Sequence, residues 1–93
     1  MIAPDVRKVI ELVLQERLKP LGYDRADIVE DRDHDGDEVL RITIHYKRVG
    51  ASVDPTPTFS LARHVREAIG ALGEHRFPHF THLFPDDQEL RVA

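Results

Sequence analysis

The chain contains no cysteine, which excludes a disulfide scaffold, a thiolate zinc site and a cysteine nucleophile together. Nor does any uninterrupted apolar run, glycine aside, exceed three residues. Neither a membrane-spanning helix nor the apolar stretch of a signal peptide is therefore expected. Basic residues are outnumbered, 13 Lys and Arg against 17 Asp and Glu, for a formal charge of −4. This argues against attachment to nucleic acid by bulk charge, though not against a local basic patch. The glycines, at 22, 36, 50, 70 and 73, are too scattered to cradle a phosphate. What is present is 41% hydrophobic and 32% charged over 93 residues, a composition suited to one folded domain. The expected location is the cytoplasm, with no membrane partner.

The acidity is concentrated. Between Asp24 and Glu38 lie eight acids and two bases, a net charge of −6, so the remainder of the chain carries +2. On the N-terminal side, residues 4–19 read as a helix: Pro4 suits its first turn, Asp5 complements the dipole, and Lys19-Pro20 before Gly22 ends it. Ile2, Val6, Val9, Ile10, Val13, Leu14 and Leu21 form its apolar stripe. Arg17 projects into that stripe, where its stem can pack and its head can reach the terminal carbonyls. Leu12 sits alone among the charged residues, as single surface leucines commonly do.

Residues 25–30 alternate as a short strand, and Val39–Lys47 is the clearest strand of the chain. Leu40, Ile42, Ile44 and Tyr46 share one parity; Val39, Arg41, Thr43, His45 and Lys47 share the other. The Asp-Gly dipeptide inside Asp31–Asp37 marks an antiparallel hairpin with a longer loop. Asp54-Pro55-Thr56-Pro57 becomes a helix start, with Thr56 or Thr58 as N-cap. That helix extends to about Leu72 and buries Leu61, Ala62, Val65, Ala68, Ile69 and Leu72. A third strand follows over His79–Phe84, and the last eight residues read as a short strand through Leu90 and Val92, in preference to a helical turn or a frayed tail. The order is α-β-β-α-β with a short fourth strand. This predicts an α+β two-layer sandwich, with both helices on one face of a three- or four-stranded sheet. If strands two and three are parallel, the crossover between them should be right-handed.

Little in this pattern converges on chemistry. Asp31-x-Asp33-x-Asp35-Gly36 opens like a calcium loop, but position 12 is Ile42 instead of a bidentate glutamate and the flanks are strands. His75, His79 and His82 have ligand-like spacing, yet Pro78 opposes a helix there, and on a strand His79 and His82 point to opposite faces. Ser52 and Ser60 lack a nucleophile elbow. No catalytic residue, metal or cofactor is assigned. The surface residues with the clearest potential are Arg41, Thr43, His45 and Lys47 on the sheet face away from the helices, and Arg63 and Arg66 on the second helix. They form the candidate interaction face. Such basic groups can contact phosphates, although the face lacks the aromatic pairs on which single-stranded bases stack.

Leu21–Glu30, Val39–Ile44 and Ala62–Ile69, in this element order, resemble the N-terminal domain of the bacterial small-subunit ribosome maturation factor over about residues 9–72. The resemblance implies a compact α+β domain that acts by binding ribosomal components without catalysis. It stops at the third strand, which here is rich in histidine and aromatic residues. No Ser-Ser-Pro-Gly turn follows that strand, and the family's second β domain is missing. A type II KH domain also begins α-β-β-α, and Gly70-Ala71-Leu72-Gly73 matches its Gly-x-x-Gly loop, but Glu74–Pro78 cannot supply the helix that should follow. The expected function is a small non-catalytic interaction module that self-associates or binds a partner protein. The alternative is an RNA- or ribosome-associated module, and a metal-binding His/Asp-rich domain comes third.

Overall fold

A computed structural model describes residues 1–91. Helix α1 covers Pro4–Leu18 and is followed by a 3-10 turn at Lys19–Leu21. Strands β1 (Tyr23–Arg32) and β2 (Glu38–Tyr46) form the expected antiparallel hairpin, with a bulge at Tyr23/Arg25. A two-residue strand β3 (Ser52–Val53) and a 3-10 turn (Thr56–Thr58) lead into helix α2 (Leu61–Gly70). Strand β4 (Phe77–Leu83) pairs in parallel with β2, giving a sheet of order β1-β2-β4. The fold is the α+β sandwich expected from the pattern of elements.

The two helices and one sheet face enclose a single core. Val6, Ile10, Leu14 and Leu18 of α1 and Leu61, Val65 and Ile69 of α2 pack over Ile28, Leu40, Ile42, Ile44 and Tyr46. Each helix contributes a stripe at i, i+4 spacing and β2 contributes alternate residues, so burial follows the two backbone periods. Gly22 joins α1 to β1 at φ 86°, and a Cβ there would lie 2.5 Å from the Lys47 carbonyl oxygen. Its own carbonyl accepts from Lys47 N–H at 2.7 Å, which closes the end of the hairpin against the end of the helix.

Four expectations are corrected. The last residues do not extend the main sheet: β5 (Glu89–Leu90) pairs in parallel with β3 as a separate two-stranded sheet, and Val92 lies outside the described residues. Helix α2 begins later than Thr56 or Thr58, because the Asp54 carboxylate accepts from Thr56 N–H (3.0 Å) and Thr56 Oγ1 (2.6 Å) and holds that segment as a separate 3-10 turn. Leu72 is exposed because the regular helix stops at Gly70. Gly73, at φ 86°, then reverses the chain so that Glu74 N–H reaches the Ile69 carbonyl. Arg17 does bury part of its stem, but its Nε is buried without a hydrogen-bond partner instead of binding a carbonyl.

Candidate interaction surface

The pairing register fixes which residues share the helix-free face of the sheet. Reading from β1 through β2 to β4, its rows are Asp31, Val39, Phe77; then Val29, Arg41, His79; then Asp27, Thr43, Thr81; then Arg25, His45, Leu83. Three of the candidates, Arg41, Thr43 and His45, stand in the middle of this face. Lys47 lies just beyond β2 at the Gly22 junction, where its Nζ is 3.8 Å from Asp24. Arg63 and Arg66 are on α2, in the opposite layer. The six candidates therefore lie in two layers, and the two groups meet at Phe77, whose ring Arg66 overlies.

The polar groups at the centre of the open face are bonded to one another across β1 and β2. The Arg41 guanidinium binds the Asp31 carboxylate. Asp31 is held below the usual carboxylate range, first by the Arg32 backbone N–H and then by Arg41. His45 Nε2 lies 2.9 Å from Asp27 Oδ2. Three apolar side chains also stand exposed on this face, Val29 at 54%, Leu83 at 45% and Phe77 at 43%, beside exposed His79 and Thr81. Val39 has the parity of Arg41 yet is buried, in the row between Asp31 and Phe77.

The second surface is a groove of about 430 Å³ between the flank of α2 and the start of β4, lined in part by Arg63, Arg66, Glu67, His75 and Phe77. Arg66 lies over the Phe77 ring, 4.9 Å from its centroid. Among the described residues neither Arg63 nor Arg66 is ion-paired. Arg76, which also lines the groove, is different. Its Nε and Nη2 grip Glu74 at 2.9 and 2.7 Å, while Nη1 reaches Glu30 at 2.8 Å and Nη2 the Met1 carbonyl at 3.2 Å. These bonds push the Arg76 pKa further up and hold Glu74 low. Arg76 thus ties the N-terminus, β1 and the α2–β4 loop together, a structural role that its sequence position does not reveal.

The metal-like motifs resolve into local structure. Asp33 Oδ1 accepts from Asp35 N–H (2.9 Å) and Asp37 N–H (3.0 Å), so the acidic loop is built around its own backbone donors. His79 is exposed on the open face. His82, of opposite parity, lies beside the core with Nδ1 2.7 Å from the Tyr46 hydroxyl. Burial pushes the His82 pKa down and the Tyr46 pKa up, so both groups of this contact are held in their neutral forms. Phe84 stacks on Tyr46 with ring centroids 4.1 Å apart. Among the described residues no three His, Asp or Glu side chains converge as metal ligands, and no helix is long and apolar enough to cross a membrane.

The Tyr46–His82 contact and the Arg76 clamp were not anticipated from the sequence; the only signal for either was an unusual local density of histidine and aromatic residues in 75–84. Comparison of the chain with protein-family models, with curated proteins and with solved structures returned no match.

Proposed function

We propose that this chain is a cytoplasmic, non-catalytic interaction module that associates with itself or with a partner protein. One observation carries the proposal: on the open sheet face Arg41 is ion-paired with Asp31 and His45 lies at hydrogen-bond distance from Asp27, while Val29, Phe77 and Leu83 stand exposed. Phosphates are recognised by free cations, whereas exposed apolar side chains rimmed by satisfied polar groups suit a protein surface. Sedimentation across a range of concentrations, with and without added RNA, tests the proposal. Association should be independent of RNA and should be lost in Phe77→Lys/Leu83→Lys with the helical circular dichroism unchanged. Association that appears only with RNA refutes it.

A second function, RNA or ribosome association, draws support from the α2 groove. There Arg63 and Arg66 have no ion pair among the described residues, and the Arg66 guanidinium lies over the Phe77 ring, a platform of the kind that bases stack on. It predicts RNA binding that falls steeply with salt and is abolished by Arg63→Glu/Arg66→Glu, with the oligomeric state unchanged.

A further inference from the structure

The sheet has two free edges, and they differ in kind. Strand β1 carries Asp24, Asp27, Glu30 and Asp31 against Arg25 and Arg32, so two copies meeting along it would place net negative charge against net negative charge. Strand β4 carries no Asp, Glu, Lys or Arg, and it lies in Phe77–Pro85, the longest stretch of the chain free of those residues. Long, uncharged edges are the ones that accept another strand. Pro78 has no N–H, so β4 offers one donor fewer near its start.

We propose that a second copy of this chain pairs antiparallel along β4 about a two-fold axis at Phe80, joining two three-stranded sheets into one continuous sheet. The proposal names the partner for the interaction role above and rests on it. In this register Phe77 faces the partner copy's Leu83 and Leu83 faces its Phe77. The two exposed apolar residues of β4 on the open face therefore cover each other twice. His79 faces Thr81 on the same side, and half-buried Phe80 faces itself on the helix side.

Charge agrees with this orientation. The unpaired Arg63 and Arg66 stand beside the start of β4, and the acidic pair Asp86-Asp87 follows its end. Antiparallel pairing brings those ends together. Asp87 is bound to Arg48 at 3.1 Å, whereas Asp86 has no ion pair among the described residues. Pairing of β4 with itself thus brings the unpaired bases of one copy to the free acid of the other, at both ends of the shared ladder.

Because the chain has no cysteine, the register can be tested by disulfide trapping. The double variant His79→Cys/Thr81→Cys, oxidised in dilute solution, should form a covalent dimer, whereas either single variant should cross-link poorly, its sulfur facing a histidine or threonine. Sedimentation equilibrium of the unmodified chain should give twice 10.7 kDa at high loading. Arg63→Glu/Arg66→Glu should weaken dimerisation by roughly tenfold. Val29→Lys, on the open face but on the far strand β1, should leave the dimer intact.

A dimer lost in Val29→Lys, or equal cross-linking by single and double variants, overturns the edge pairing and leaves association through the open face standing. A chain that stays monomeric at all loadings also overturns the edge pairing, while a partner protein remains open. RNA binding by a strict monomer overturns both this pairing and the role it rests on.

Discussion

Replacing Arg76 with methionine keeps an unbranched stem as long as the arginine chain up to Nε and removes the guanidinium, and so isolates the clamp that Arg76 forms. The Arg76 side chain is 17% exposed and that of Glu74 12%, so little solvent is available to take over the lost bonds. The bidentate grip at 2.9 and 2.7 Å disappears together with the bond to Glu30, and Glu74 is left charged and mostly covered. Severing a fully buried pair costs about 3–5 kcal/mol. Because Glu30 is 44% exposed and rehydrates, about 2–3 kcal/mol is the expected loss here. In a domain of this size that lowers Tm by about 10–20 °C, measurable by circular dichroism at pH 7.

The signature that separates a severed pair from lost packing is partial rescue. Adding Glu74→Gln to Arg76→Met removes the orphaned charge and should recover about 1 kcal/mol. Glu74 itself should titrate at higher pH in Arg76→Met, because its carboxyl is held low chiefly by the Arg76 hydrogen bond. A fall of less than about 3 °C, with no change in the Glu74 titration, would refute the idea that Arg76 holds the N-terminus, β1 and the α2–β4 loop together.

Ile42→Asp buries an unpaired charge in the centre of the core and should leave the chain unfolded by circular dichroism, a loss of about 4 kcal/mol or more. Arg41→Asp, one residue away on the open face, should cost about 1 kcal/mol; equal damage from both would mean that the open face is covered. Gly22→Ala should lose about 2 kcal/mol in denaturant titration, since a Cβ there meets the Lys47 carbonyl at 2.5 Å and φ is 86°. His82 has its pKa lowered by burial, so its contribution to stability is complete above about pH 6.5 and declines as pH falls through its folded-state value. Between pH 7 and 5 the Tm of His82→Phe should fall less than that of the unsubstituted chain, and parallel curves would show that His82 is not the titrating group. The acid loss from Glu74, also lowered, belongs to a lower window, as pH falls through its folded-state value below about 4.3.

Backbone period is a local property, and the sequence by itself determined what depends on it. The stripe of α1, the alternation of Leu40, Ile42, Ile44 and Tyr46, and the Asp-Gly hairpin were all legible, because each follows from spacing along one element. The same holds for the opposite parity of His79 and His82. Also legible was the open position of Arg41, Thr43 and His45. Partnership was not. Arg76 meets Glu30, Tyr46 meets His82 and Val53 meets Leu90 only because distant strands are brought side by side. Tertiary structure also divided the expected interaction face: the sheet residues ended in one layer, with Arg41 and His45 bonded to acids of β1, and Arg63 and Arg66 in the other. A charged side chain takes the nearest opposite charge in space, and that neighbour is set by strand order and register. Neither can be read from the periodicity of a single element.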